Sequence, residues 1–442
     1  MAKPEFQVVI LAGGTGSRLT PLSEGLTKPM LPVANRPLIS YQLELLERVG
    51  FTEAIILTNM ETMKALDKYV GEIYKGELKL IFENTKGSVG TVDALLRIKD
   101  KIKRNFIVIS GDVIVSESFL HHMADIHRTR NAAVTMLLKK NAPLTEEEKK
   151  AKQKSQTLMN DFIGLDAEGK VMFLTAAADL EEHVAIRKDI LKQSQHVTLY
   201  TNLLDAHFFI FADWVLELIS QMKEEGYNLS SIKQELVPFL ILLQRTKKIP
   251  TKNGGLKEFI KKKNESMADI LSSKRTSRED GMGCFGYIMS EDQYCIRVNT
   301  LDTYRSANFS MAKGTTGYLP EEEPGKNNFI SSSALVDVAT QVGPESVVGS
   351  STSMGPKGSV KKSIIGRHVK IGKGVKIINS IIMDYVTIGD DCVVQNSIIC
   401  NEVQIGDGCS LNNCSVGKSY SMEPKTKATN ETLQSDSIMM VR

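Results

Sequence analysis

Residues able to handle phosphate crowd into one stretch, "LAGGTGSRLTPLSEGLTKPMLPVANRPLI" (11–39). It follows an apolar run and joins Gly13, Gly14 and Gly16 to Arg18 and Lys28, with prolines at 21, 29, 32 and 37. Glycines at the end of a buried strand let the backbone approach a pyrophosphate and aim a row of N–H groups at it. Arg18 offers phosphate oxygens a fork-shaped cation and Lys28 a compact charge, while the prolines stiffen the chain between them. The spacing is neither GxxxxGK[ST] nor GxGxxG, so the P-loop and dinucleotide fingerprints do not apply. A glycine-rich turn alone is common in loops that bind nothing. Its union with both cations and the prolines is much more specific, and leaves two readings: a working site for a nucleoside triphosphate or the remains of one.

Such a turn needs a strand beneath it and helices around it. "FQVVILAGG", "EAIILTN", "LKLIFEN", "NFIVISGD" and "AAVTMLLKK" read as strands, separated by amphipathic stretches such as "VDALLRIKDKI". Leu38, Tyr41, Leu45 and Val49 mark a helix closed by Gly50. This rhythm predicts a mostly parallel sheet covered by helices. Ligands of such sheets bind beyond the carboxyl ends of the strands, where the glycine cluster and "SGD" (110–112) both fall.

From about residue 329 the pattern changes. Apolar marks recur every six residues from Val336 to Val360, then at Ile365, Ile371, Ile377, Ile382, Ile388, Val394, Ile399, Ile405, Leu411 and Val416. Glycine follows many of them, as tight corners with positive φ would require. This is the hexapeptide signature of a parallel β-helix with three short strands per coil. It places Cys392 and Cys409 one coil apart, as stacked thiols rather than zinc ligands.

With 442 residues, 42% hydrophobic and 24% charged, the chain reads as a soluble protein of two or three domains. No apolar run of about 18 residues could span a bilayer, and the N-terminus has no cleavable apolar leader. Six cysteines without a CxxC pair suggest free thiols in a reducing compartment, the cytosol. The net charge of +3 says little about partners. Charged stretches at about 139–156 and 245–280 read as surface insertions. The basic run within 245–263 lacks interleaved aromatics, so neither base stacking nor direct nucleic-acid binding is expected. "FLHHMADIHRTR" scans as an amphipathic helix with surface histidines, and Trp214 as packing between a helix and the sheet. No nucleophile–His–acid set is visible.

The opening stretch resembles the N-terminal signature of the nucleotidyltransferases that make nucleoside diphosphate sugars. "GSVGTVDALL" (87–96) is similar to their base-reading element, which makes Gly90 and Thr91 candidate nucleotide contacts. "SGDVIV" (110–115) is similar to the strand end that supplies a magnesium-binding aspartate, here Asp112. A left-handed β-helix after a Rossmann-like mixed sheet is also familiar in that group. The second half of the family's chemistry is missing. Active members carry "EKP", whose lysine binds the sugar phosphate; "MFLTAAADLEEHV" stands in its place. Asp205 stands where a small glycine of the sugar pocket is expected. Arg297, in "CIRVNTLDTYRSAN", stands where the second metal-binding aspartate is expected; Asn299 replaces a glycine, and Asp302 is off register.

This pattern of losses resembles the gamma subunits of eukaryotic translation initiation factor 2B. That resemblance implies a subunit without transferase activity, no cofactor and no metal. Its implied partners are an epsilon subunit and the other subunits of the complex, which exchanges GDP for GTP on initiation factor 2. The short sequence after the repeats is expected to leave no room for the epsilon subunit's exchange domain. The alternative is a pyrophosphorylase resembling mannose-1-phosphate guanylyltransferase, or its regulatory subunit. The expected domains are 1–327, nucleotidyltransferase-like, then 328–418, the left-handed β-helix, and a tail over 419–442. Gly13, Gly14, Gly16, Arg18, Lys28, Gly90, Thr91 and Asp112 are the candidate vestigial nucleotide contacts.

Overall fold

The computed structural model describes residues 5–85, 90–141, 161–176, 196–246, 283–320, 322–325 and 327–434, with single positions 188, 190 and 194. The charged stretches therefore lie outside it, apart from 139–141 and the helix end at 245–246.

Strand β1 (Gln7–Leu11) runs into the glycine turn, and a short ribbon, β2 (Pro32–Val33) and β3 (Arg36–Pro37), leads to helix α1 (Leu38–Val49). Gly50 closes α1 at φ 89°, as its sequence position predicts. Then come β4 (Glu53–Thr58), α2 (Met60–Glu72), β5 (Lys79–Asn84), α3 (Thr91–Arg97), β6 (Phe106–Ser110) and β7 (Val113–Val115). Helix α4 (Leu120–Thr129) precedes β8 (Val134–Lys140), the hairpin β9 (Asp161–Asp166) and β10 (Val171–Ala176), and the long β11 (Val197–Phe211). Helices α5 (Trp214–Glu224) and α6 (Val237–Thr246), strands β12 (Cys284–Ile288) and β13 (Cys295–Arg297), and α7 (Leu301–Ala312) complete this part.

The sheet runs β10-β9-β11-β6-β1-β4-β5, with β8 on β11 and β12 on β8. Strands β6, β1, β4 and β5 are parallel, but β11 is antiparallel to β6, β8 and β9. The sheet is therefore mixed, as the family resemblance implies, rather than mostly parallel as the strand rhythm alone suggests. Alternate residues of each central strand feed opposite cores: Val9 and Val108 join α3, α5 and α6, while Val8, Ile10, Ile107 and Ile109 join α1, α2 and α4. Burial on both faces explains why these strands read as unbroken apolar runs.

From Asn328 the chain winds into three parallel ladders, one coil above the next, the left-handed β-helix. Its core is the predicted row of aliphatics with Cys392, Cys409 and Cys414, all free thiols. The stack does not stop at 418. Strands at Ser421–Met422, Lys427–Thr429 and Thr432–Leu433 carry it to the last described residues. Met422 and the small Ala428 occupy inward positions there, which hid the repeat in a polar sequence.

The corner glycines also need correction. Glycines 366, 372, 389 and 406 do not have positive φ; the left-handed residues sit two places on, at His368, Gly374, Asp391 and Gly408. What excludes a side chain at Gly366 is the next coil, since a Cβ would lie 2.6 Å from the carbonyl carbon of Met383. Gly366→Ala should therefore lower stability by about 1–3 kcal/mol, the cost of overpacking. Gly408→Asn should cost well under 1 kcal/mol, because asparagine tolerates the left-handed region. Thermal melts of both variants check this; equal losses would contradict it.

Candidate functional site

Asp112 follows β6 at the carboxyl edge of the sheet, and the turn holding it is tightly built. Gly111 N–H donates to Leu11 O (2.8 Å), and the buried Gln42 of α1 donates to Val113 O (2.5 Å). Strand β13 pairs antiparallel with β7 so that Arg297 lies opposite Val113, and Val298 N–H donates to Asp112 O (2.7 Å). That register delivers the Arg297 guanidinium onto the Asp112 carboxylate.

Arg297 Nε lies 3.1 Å from both carboxylate oxygens, Lys28 Nζ lies 2.5 Å from Oδ2, and Ser110 Oγ donates to Oδ1 (2.6 Å). Asp112 is only 3% exposed. Burial opposes its ionisation, but Arg297 and then Lys28 outweigh that and hold the carboxyl well below its usual range. Two cations thus sit on the carboxylate that the resemblance assigns to magnesium. A divalent ion would meet a guanidinium and an ammonium in its own coordination shell. The residues present do not fit a metal. No cluster of three or more ligating side chains exists among the described residues.

Sequence reasoning missed His207. It lies where the β11–β8 ladder breaks between Asp205 and Phe209, with φ 55°. Its N–H donates to Asp205 Oδ1 (2.8 Å), and its Nε2 accepts from Arg297 Nη1 (2.6 Å). Burial first, and then the Arg297 charge, push the imidazole well below its ordinary pKa, so it accepts as a neutral ring. Asp205 thus shapes the bulge that aims His207 at Arg297. Burial pushes its own carboxyl up to about 6 against the pull of Lys233. Beside it, Lys233 Nζ pairs with the buried Asp161 at 2.8 Å. The only sequence signal was an Asp-x-His in the middle of an apolar strand.

Of the other candidates Gly16 lies against Lys28, since a Cβ there would be 3.5 Å from Lys28 Cβ; among the described residues none of the others bonds to Asp112 or Arg297. Gly13, Gly14 and Gly16 form the turn after β1, with Gly16 at φ 73° and open space around Gly14. Arg18 is exposed in a one-turn helix and makes no hydrogen bond or ion pair with the described residues. Gly90 is half-buried and Thr91 exposed, and both adjoin the 230–232 segment: Val92 N–H donates to Ser230 O (2.8 Å) and Ile232 N–H to Thr91 Oγ1 (2.9 Å). A Cβ on Gly90 would strike the Ser230 main chain. Residues 87–89 and the region 177–184, where "EKP" was sought, lie outside the described residues. Asp302 stands exposed in the first turn of α7. His127 is not a surface residue. It is buried, bonds Thr135 Oγ1 through Nδ1 (3.0 Å), and is pushed by burial to about 4.

The rest of the opening signature meets the β-helix. Leu19, Leu22, Leu31, Leu38 and Tyr41 pack with Tyr304 and Met311 of α7 against Val347, Ile364, Ile381 and Ile398 of one β-helix face. The β2–β3 tip is a plug: Asn35 Nδ2 donates to Ile365 O (2.9 Å), and Arg367 donates back to Asn35 O (3.1 Å).

Fold and site together define a nucleotidyltransferase-type domain joined to a left-handed β-helix. The family model described as nucleotidyl transferase matches residues 7–146, and that of the EIF2B subunit epsilon LbH domain matches 326–428. The chain is 38% identical to translation initiation factor eIF2B subunit gamma of Dictyostelium discoideum, over 82% of this chain and 88% of that one. It is 29% identical to the Schizosaccharomyces pombe protein of that name, over 70% of this chain and 66% of the relative. Mannose-1-phosphate guanylyltransferase 1 of Arabidopsis thaliana is 30% identical over only 30% of this chain and 38% of its own. The chain belongs to the family of translation initiation factor eIF2B gamma subunits.

Removing the guanidinium while keeping the stem tests the cluster. At neutral pH Arg297→Met should destabilise by about 3 kcal/mol, the lower end for breaking a buried pair, because Lys28 remains. The Asp112 pKa is depressed in the fold, so the pair's stabilisation is present above the ordinary value of 3.8 and is lost as pH falls below it. The gap between wild type and variant should therefore narrow in acid. A urea series against pH that found a constant gap would contradict this.

Proposed function

We propose that this chain is a non-catalytic gamma subunit of the initiation factor 2B complex. It supports guanine nucleotide exchange on initiation factor 2 in the cytosol, paired with an epsilon subunit and the other subunits. The observation that carries the reading is the capture of Asp112 by Arg297 and Lys28. In a transferase that carboxylate must hold the metal that neutralises the triphosphate; here it is spent on two internal cations. Family membership supports the exchange role, and the limited overlap with the guanylyltransferases argues against the alternative reading as a sugar-nucleotide pyrophosphorylase. The domain division is part of the proposal, with the transferase-like part to 327 and the β-helix from 328 as two platforms for subunit contact. Of the candidate nucleotide contacts we keep the 13–18 turn and Arg18, where Gly14, Thr15, Ser17 and Arg18 are exposed. Lys28, Gly90 and Thr91 already have partners within the chain.

Two assays test this. With Mg²⁺, GTP and mannose 1-phosphate the purified chain should release no pyrophosphate above background, and turnover of about 1 s⁻¹ would sink the reading. Co-expressed with the epsilon subunit, it should co-purify and raise the rate of GDP release from initiation factor 2. A chain that neither bound that subunit nor altered exchange would be something else.

A further inference from the structure

Exposed charge on the β-helix is sorted by coil. One ridge is formed by the corners that link the second strand of each coil to its third: Val336 to Gln341, Met354 to Ser359, Ile371 to Lys376, Ile388 to Val393, Ile405 to Ser410 and Met422 to Lys427. Successive corners carry Asp337, Lys357, Lys373, Asp390, Asp407 and Lys425. All are exposed except Asp390, which is half-buried. In signs the ridge reads minus, plus, plus, minus, minus, plus. Asp391 reinforces the fourth corner, and at the sixth Lys427 offsets Glu423.

Part of this charge serves the stack itself. Asp390 Oδ1 accepts from Lys373 N–H (2.9 Å) and Asp407 Oδ1 from Asp390 N–H (2.8 Å). Among the described residues Lys373 alone makes an ion pair along the ridge, at 3.5 Å to Asp390 Oδ2. Lys357 and Asp391 make no ion pair with the described residues. The lysines at the second and third corners have no such backbone duty.

The order of signs constrains the partner. Coils are spaced by about 4.8 Å, so opposite bands lie within a Debye length of about 10 Å. A polyphosphate or a uniformly acidic surface attracted to the lysines would be repelled by the adjoining aspartates. The complementary partner must carry the reverse sequence of signs. Read backwards, this ridge is its own negative: the first corner answers the sixth, the second the fifth, and the third the fourth. A two-fold axis across the ridge, between the third and fourth coils, would set Lys373 against Asp390 and Asp391, and Lys357 against Asp407. That is an isologous contact, in which one patch recognises itself.

We propose that this ridge pairs antiparallel with the same ridge of a second copy of the chain. The inference goes beyond the role proposed above and does not depend on it. Charge arranged in this way supplies register and selectivity more than affinity, so the pairing is weak and sensitive to salt.

The test is sedimentation velocity on the full chain, alone and co-purified with the epsilon subunit. Wild type should self-associate in about 0.05 M salt and do so at least about tenfold more weakly in about 0.5 M. Lys357→Glu/Lys373→Glu should be monomeric, as should Asp391→Lys/Asp407→Lys, each checked for an unchanged melt. If the second variant melts early, Asp391→Lys alone replaces it, because that side chain makes no hydrogen bond with the described residues. An equimolar mixture of the two charge-reversed chains should recover the association. A wild type that stays monomeric at low salt overturns the proposal. So does a mixture that fails to associate. If the variants lose only recovery of the epsilon subunit, the ridge belongs to that subunit and the proposal is wrong.

Discussion

The buried carboxylate of Asp112 is the constraint around which this fold is arranged. It lies at the end of the strand beside β1, where a sheet of this kind gathers ligands. An ionised group there needs compensation worth several kcal/mol. Arg297 and Lys28 supply it from within the chain, and His207 and Asp205 fix the angle at which Arg297 arrives. The edge of the sheet is thereby closed chemically without any change of fold. A guanidinium that donates to both oxygens of one carboxylate also ties β13, and so α7, to the end of β6.

That tie extends to the second domain. Helix α7 lies between Asp112 and the β-helix, and its Tyr304 and Met311 belong to the same apolar cluster as Leu19, Leu31 and Tyr41. The stretch that looks like a nucleotide signature therefore does two physical jobs. Its first turn, Gly13–Arg18, exposes Gly14, Thr15, Ser17 and Arg18, while Gly16 lies against Ser23 and Lys28. In the remainder Lys28 is held on Asp112, while Leu19, Leu22, Leu31, Leu38 and Tyr41 pack toward the β-helix. Gln434 Nε2 bonds Glu24 Oε1 at 2.8 Å, so the last described coil also returns to that stretch. A signature retained in sequence can thus be retained for packing rather than for phosphate.

Legibility followed the range of the interaction. The β-helix was plain because its period repeats in the sequence, and the Rossmann-like half was plain because buried parallel strands leave continuous apolar runs. Asp112 and Arg297 could be named because each occupies a recognisable place in a family motif. That they touch depends on the β13–β7 register, which no local pattern encodes. His207 depends on a broken ladder, and the covering of Gly90 on Ser230, far along the chain. The end of the β-helix was misjudged because alanine and methionine can fill an inward position as isoleucine does. The corner glycines were assigned to φ when contact between coils is what requires them.

Whether an internal arginine has taken the place of a metal is open to direct measurement. Mn²⁺ binding, followed by electron paramagnetic resonance with and without GTP, should show no saturable site on the wild-type chain at millimolar concentrations. Arg297→Asp, which restores a carboxylate beside Asp112, should gain one. One stoichiometric Mn²⁺ on the wild type, lost in Asp112→Asn, would contradict the account.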